Sequence, residues 1–366
     1  MKINLFFFIS RFTFGGAGNA IYTFLKTLDR KKYNLHIFFL GKSEYQTILP
    51  KHVKYLRLNN KIPIFKTFFS FIQIRKVMLV NSKKFKKNIF ISNIHYSNVL
   101  SILFLRDIKN LKIILFERTS IKELDIFINK VTYIKNKIIK LLIKWTYSKA
   151  NKILTNSKVL SSELKELGIK SEVVYSGSIE NIRKKKKFKK KSFFKIISVG
   201  RLTEQKDYFT LLKAIRILKN KNLELNIFGE GFLKNELINF IQKNNLQDIV
   251  KLRGHIFNKA KIYKKADLLI HTAIFEGLPN VIVEAMNYGV PVIAADSYGG
   301  TREVLSSGKY GELFKPKNFK SLANKIDQFM LSPEKLNQKI LKSKLILKKF
   351  TYKDSTKSLE KILKNI

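Results

Sequence analysis

Two glutamates eight positions apart, Glu276 and Glu284, carry the densest chemical signal in the chain. An apolar run ending near His271 reads as a strand. It feeds a loop holding Glu276, Gly277 and Pro279, and a helix follows, with Pro279 suited to its first turn. Glu284 falls on that helix. Two carboxylates and a helix amino terminus then stand at the carboxyl end of a parallel strand, where open α/β sheets bind ligands. Backbone N–H groups at a helix start favour a phosphate, and carboxylates accept hydrogen bonds from hydroxyl groups such as those of a sugar. Taken singly, Glu284 reads as an exposed helix residue and Glu276 as a turn carboxylate. Their surroundings favour the joint reading.

A second cluster runs from Val199 to Asp207. It also follows a strand and opens a helix, with Thr203 or Asp207 able to cap. Arg201 and Lys206 both reach toward an anion at that mouth, Arg201 through two parallel hydrogen bonds. A third feature is the loop Gly15-Gly16-Ala17-Gly18 after the first strand. It departs from Gly-x-Gly-x-x-Gly, since Ala20 and Ile21 stand where a last glycine would fall. It still suits close backbone approach to a phosphate or sugar. Gly229-Glu230-Gly231 makes a similar strand-to-helix turn.

These residues need strands and helices in alternation to position them, and the pattern supplies both. In the second half, short apolar runs at 194–199, 223–228, 249–252, 268–271, 290–295 and 312–314 read as strands. Tyr208, Leu211, Leu212, Ile215 and Leu218 recur at helical spacing, leaving Lys213, Arg216 and Lys219 outside. The first half repeats the alternation, with strands at 3–9, 34–40, 88–92, 112–116, 152–155 and 172–175. Helices fall near 17–29, 66–80, 96–107, 132–149 and 157–167. Such alternation implies parallel sheets covered on both faces. The expected division is a Rossmann-like domain over 1–180, a basic linker over 181–192 and a second Rossmann-like domain over 193–349. The terminal helix, about 350–366, is expected to return to the first domain. The run from Arg183 to Lys191 repels itself and should not pack.

At 366 residues and 45% apolar composition, the chain can build two cores. It has no cysteine, which excludes disulfides, thiolate metal sites and cysteine nucleophiles. The opening apolar run leads into the glycine loop, so it reads as a strand rather than a signal peptide, and no stretch suggests a membrane span. The formal net charge of +46 favours anionic partners. Only 11 of the 72 basic residues are arginine, however, and Lys, Ile, Asn and Phe abound, the profile an AT-rich coding sequence produces unselected.

Together these motifs resemble glycosyltransferase family 4. The resemblance rests on Gly200-Arg201 with Lys206, Gly229-Glu230-Gly231, Ala266-Asp267, Glu276-Gly277-x-Pro279 with Glu284-Ala285-Met286, Gly289 to Ala294, Gly299-Gly300, Glu303 and Gly311. It is dense over about 195–315 and looser before. It implies the GT-B fold, two Rossmann-like doubly wound parallel-sheet domains facing a cleft, with the donor held mainly by the second. It implies a retaining transfer from a nucleotide-sugar. Arg201 and Lys206 would neutralise the leaving diphosphate, Glu284 would meet the nucleotide ribose, and Glu276 would hold hydroxyls of the transferred sugar. Val304 and Leu305 would lie near the diphosphate through their backbone N–H groups. Gly15, Gly16, Gly229 and Gly231 would line the donor crevice. His95 matches the place of a histidine that faces the transferred sugar in some relatives. The chain has no Asp-x-Asp, so neither an essential divalent metal nor another cofactor is expected.

The Glu117-Arg118 pair resembles a subgroup that adds N-acetylhexosamines to surface or lipid-linked oligosaccharides, with UDP-linked donors leading. The segment from Ile134 to Trp145 reads as an interfacial basic helix or as an ordinary helix covering the first sheet. A lipid-linked glycan acceptor, peripheral membrane contact and a cytoplasmic location at the inner face of the membrane are the expectations. One departure stands out: relatives place Asn-Pro or Asn-Gly after the last strand of the first domain, where this chain has Tyr175-Ser176-Gly177. Competing readings are a non-catalytic GT-B binding protein, a basic nucleic-acid-binding protein, and an epimerase or phosphorylase on the same fold. The nucleic-acid reading leaves the paired glutamates without a role, and no nucleic-acid partner is expected.

Overall fold

The computed structural model describes residues 2–13, 15–58, 66–125, 130–184, 191–219 and 221–366. They form two compact units, Met1–Gly177 with Tyr352–Ile366, and Ser178–Thr351.

The first unit begins β1 (Ile3–Ile9), α1 (Gly16–Thr27), β2 (Tyr33–Leu40), β3 (Lys54–Leu58), α2 (Lys66–Lys84) and β4 (Asn88–Asn93). It continues α3 (His95–Leu105), β5 (Leu111–Glu117), α4 (Lys130–Tyr147), β6 (Lys152–Thr155), α5 (Lys158–Glu166) and β7 (Glu172–Val173). Its strands pair in parallel in the order β3-β2-β1-β4-β5-β6-β7. β1 shows why the sheet is covered on both faces. Phe6 and Phe8 enter one core, with α2, α3 and α4, while Leu5, Phe7 and Ile9 enter the other, with α1. The edge strand β3 escapes the sequence pattern because four of its five residues are exposed.

The second unit begins β8 (Phe194–Val199), α6 (Tyr208–Arg216), β9 (Leu223–Phe228), α7 (Lys234–Lys243), β10 (Val250–Leu252), α8 (Lys259–Tyr263) and β11 (Leu268–His271). Then come β12 (Phe275–Glu276), α9 (Asn280–Asn287), β13 (Val292–Ala295), β14 (Tyr298–Gly299), α10 (Thr301–Val304) and β15 (Glu312–Phe314). Helices α11 (Phe319–Leu331), α12 (Pro333–Leu341) and α13 (Lys344–Lys348) complete it. The main sheet is parallel, in the order β10-β9-β8-β11-β13-β15, and β12 pairs with β14 separately. α6 packs the residues its pattern marks, Tyr208, Leu211, Leu212 and Ile215, with Asp207 accepting from Thr210 N–H as its cap.

The last helix, α14 (Tyr352–Lys364), belongs to the first unit. Its Leu359, Ile362 and Leu363 join the α1 side of the core, and Ser355 donates to the carbonyl of Tyr175 at 2.6 Å. The division falls between Gly177 and Ser178, ahead of the basic stretch. Residues 185–190 of that stretch lie outside the described residues, and its flanks pack, against expectation. Lys191 pairs with Asp267 at 2.5 Å, and the Arg183 guanidinium lies 4.3 Å from the Tyr288 ring centroid. An anion and an aromatic face offset the repulsion that like charges alone would produce.

Candidate functional site

In the second sheet the strand order reverses between β8 and β11, the point at which such sheets bind ligands at the carboxyl ends of their strands. Arg201 and Lys206 follow β8, Gly229 and Gly231 follow β9, and Glu276 follows β11. A 3-10 turn over Glu204–Lys206 brings Lys206 back toward β11. Two loops are then fastened together: Thr272 Oγ1 donates to the Lys206 carbonyl at 2.7 Å, Ile274 N–H to Gln205 at 2.9 Å, and Gln205 Nε2 to Phe275 at 3.0 Å. This lacing delivers the Lys206 ammonium onto Glu276 Oε1.

Glu276 lies on the short strand β12 rather than in a free loop. Its neighbour Gly299 on β14 shows why: a Cβ there would sit 1.6 Å from the Glu276 carbonyl oxygen, so the two strands can touch only through glycine. Gly229 has the same kind of cause, since its Cβ would meet the Gly200 carbonyl at 1.9 Å. His271 Nε2 stands 3.2 Å from Glu276 Oε1. Burial works to raise the Glu276 pKa, yet Lys206 and His271 bring it down to about 2, and burial lowers that of His271. Glu276 is therefore a firmly ionised, nearly buried carboxylate. Among the described residues no hydrogen bond reaches its Oε2, and exposed Arg201 has no ion-pair partner.

Glu284 is buried on α9, and Pro279 caps that helix from outside instead of occupying its first turn. Tyr263 donates to Glu284 Oε2 at 2.9 Å and Lys259 pairs with Oε1 at 2.7 Å. The one-turn spacing of Lys259 and Tyr263 on α8 puts both on one helix face, a signal that the sequence held and its reading missed, as it missed His271. Val304 ends the α10 turn and Leu305 follows it. Their N–H groups donate to Gly300 and Thr301 inside the α10 turn, at 2.9 and 3.1 Å, and are already used.

The first sheet reverses between β1 and β4, and its own candidates gather there. Gly15 and Gly16 are exposed at the start of α1, and a Cβ on Gly15 would meet nothing within 4 Å. His95 opens α3 after Ile94, whose φ of 73° turns the chain sharply. Its Nδ1 stands 3.5 Å from Glu117 Oε1 and 3.3 Å from Thr119 Oγ1. Burial opposes the imidazolium, but Glu117 prevails and raises the His95 pKa. Glu117 also accepts from Tyr147 OH at 2.6 Å and from Arg118 N–H at 3.1 Å. Arg118 is buried, stacked 3.7 Å over Phe116, and reaches Asn93 at 2.7 Å and Ser176 at 3.0 Å. Burial lowers its pKa to about 9, against the pull of Glu117. The Ser176 that departs from the relatives' pattern is thus tied to the site by Arg118. Among the described residues no group of three or more His, Asp or Glu could hold a metal ion.

Residues 178–344 match the family model described as glycosyl transferases group 1. The N-acetylgalactosamine-N,N'-diacetylbacillosaminyl-diphospho-undecaprenol 4-alpha-N-acetylgalactosaminyltransferase of Campylobacter jejuni subsp. jejuni is 33% identical over 225 residues, 57% of this chain and 59% of that protein. A second protein of that organism, the GalNAc-alpha-(1->4)-GalNAc-alpha-(1->3)-diNAcBac-PP-undecaprenol alpha-1,4-N-acetyl-D-galactosaminyltransferase, is 26% identical over 357 residues, 93% of this chain and 92% of that protein. The chain spans about half the length of two curated relatives it matches at above 30% identity, 52% and 59%, and about a third of two others, 33% and 35%. The crystal structure of Anabaena Alr3699/HepE in complex with UDP-glucose superposes with a TM-score of 0.82 over 100% of both chains, at 18% identity. That likeness is one of fold, and the fold is GT-B. The match to the glycosyl transferases group 1 model spans nearly all of the second unit and takes in its paired glutamates, Arg201 and Lys206.

Proposed function

We propose that this chain is a retaining glycosyltransferase that moves an N-acetylhexosamine from a UDP-linked donor to a lipid-linked glycan. The observation that carries the reading is the cluster at the β8 and β11 strand ends. There a buried, ionised Glu276 holds Lys206 while Arg201 stays unpaired and exposed. Such a site is built for a ligand with both phosphates and hydroxyls. On donor binding, Lys206 exchanges Glu276 for the diphosphate, and Glu276 turns its freed oxygens to the sugar hydroxyls. As the bond to the sugar breaks, negative charge grows on the leaving diphosphate, and Arg201 and Lys206 stabilise it. Glu284, oriented by Tyr263 and Lys259, takes the ribose hydroxyls. No divalent metal is required, because these two cations carry the charge that a metal would otherwise offset.

The donor and acceptor classes draw support from the relatives. Two are named as N-acetylgalactosaminyltransferases acting on undecaprenol-linked glycans, and a GT-B neighbour was crystallised with UDP-glucose. To the first unit we assign the acceptor, with His95 as its reacting-side group, held through Nδ1 by Glu117. Among the described residues no helix is long and apolar enough to cross a membrane, and a peripheral station at the inner face of the membrane fits a lipid-linked acceptor.

Calorimetric titration with UDP and GDP, on the intact protein and on Glu284→Ala, tests the donor site. UDP binding that disappears in the variant is expected. Binding of GDP alone overturns the donor assignment, and binding of neither by a folded protein overturns the site. A panel of UDP-sugars read by released nucleotide then identifies the sugar.

A further inference from the structure

We propose that the outer face of the α2–α3–α4 layer lies against an anionic lipid bilayer, an inference that gives the lipid-linked acceptor reading above its docking surface. The three helices lie side by side over one face of the first sheet, which they cover with Phe71, Ile74, Val99, Ile102, Ile139 and Ile143. A helix that buries one stripe ordinarily turns polar residues outward. α4 does not. Val131, Ile134, Ile138, Leu141 and Trp145 are all exposed, from 53% for Trp145 to 79% for Leu141. At 3.6 residues per turn, they fall within an arc of about 80°. This second apolar stripe points away from Ile139, Ile143 and Tyr147, which face the core.

The neighbouring helices extend the surface. Phe68, Ile72, Leu79 and Val80 of α2 and Leu103 of α3 are exposed as well, and Phe68 packs edge-on against Phe104 of α3 at 5.1 Å. Large apolar residues gathered on one face, rather than scattered singly, mark an interaction surface.

Charge selects the occupant. None of the three helices contains an acidic residue, while α2 and α4 each contribute five basic ones. Of the acidic side chains just outside them, Asp107 pairs with Arg75, and Asp125 with Lys137 and Lys140. The remaining lysines flank the apolar stripe. A second copy of this chain seated here would set like charges against like across a two-fold axis. An anionic bilayer instead accepts the apolar stripe among its acyl chains and the lysines among its headgroups. Trp145 at the end of the stripe, with Lys149 stacked 3.0 Å above its ring, suits the interface between the two.

Trp145 is the single tryptophan of the chain, so its emission reports this face alone. The full chain would be mixed at physiological salt with vesicles of phosphatidylcholine, or of phosphatidylcholine containing about one third phosphatidylglycerol. With the anionic vesicles the protein is expected to sediment, its Trp145 emission to shift to the blue, and brominated lipid to quench it. The double variant Ile138→Ser, Leu141→Ser keeps every charge and should bind about tenfold or more weakly. The proposal is overturned by failure to sediment, by undiminished binding of the variant, or by binding without any change at Trp145. It is also overturned by a concentration-dependent dimer that the variant abolishes. UDP titration of the same samples separates this inference from the functional reading. Nucleotide binding without vesicle binding sinks only the docking face, and vesicle binding without nucleotide binding sinks only the donor site.

Discussion

Replacing Glu276 by Gln keeps the shape of the side chain but removes the anion that Lys206, itself only 14% exposed, rests on. In the parent, burial pushes the Glu276 pKa up, and Lys206 and His271 together bring it from 4.5 to about 2. A depression of that size corresponds to about 3 kcal/mol of folding stability at neutral pH. The folded value lies below the ordinary one, so this contribution is complete above pH 4.5 and is lost as the pH falls toward 2. The parent should exceed Glu276→Gln in stability by that amount at pH 7, and the gap should close on acidification below 4.5. Urea unfolding followed by circular dichroism at several pH values measures it. Tryptophan emission does not suffice, because Trp145 lies in the first unit and the pair in the second. Turnover by the variant should fall on the order of a hundredfold. Its affinity for UDP should hold or rise, because Lys206 no longer has to leave a carboxylate. Equal stability of the two proteins at pH 7, or a gap that ignores pH, would refute the ion-pair reasoning. A large loss of UDP affinity would refute the exchange of Lys206 between Glu276 and diphosphate.

The other predictions concern the same two clusters. Arg201→Ala and Lys206→Ala should each lower turnover on the order of a hundredfold or more, with unchanged circular dichroism for Arg201→Ala; near-normal rates in both would remove the proposed diphosphate contacts. Tyr263→Phe deletes the hydroxyl that donates to Glu284 at 2.9 Å, and calorimetry should show UDP affinity reduced by about fivefold. His95→Gln tests the pair with Glu117. Since the folded His95 pKa is raised above 6.5, the pair's stabilisation is full below that value and fades as the pH climbs past the folded one. The variant's deficit in urea should therefore be larger at pH 6 than at pH 9. Exhaustive treatment with EDTA should leave turnover unchanged, measured as UDP release, and loss of activity restored by a divalent cation would contradict the metal-free reading.

Much of the architecture was legible because parallel sheets leave plain marks. Strands buried on both faces read as apolar runs, and helices between them repeat at 3.6 residues, so β1, β8, β9, β11 and α6 fall where the pattern puts them. Elements whose stability comes from elsewhere leave no such mark. β3 is mostly exposed, and β12 and β14 are two residues each, paired through Gly299. The glutamates, Arg201, Lys206 and the glycine turns were visible as residue types at strand ends, where a parallel sheet gathers its ligand groups.

What those residues do to one another was decided only by tertiary structure. Lys206 and Glu276 are 70 positions apart and meet because two strand-end loops are laced by hydrogen bonds to backbone carbonyls. Tyr263 and Lys259 reach Glu284 from a helix whose own sequence shows no acidic partner. Glu117 holds His95 from the neighbouring strand. Val304 and Leu305 spend their N–H groups inside a turn, which no motif reveals. For α4, the periodicity identifies an amphipathic helix but cannot say which of two apolar stripes faces the core. Periodicity measures how residues are arranged around one helix, and the choice between its faces depends on what packs against it.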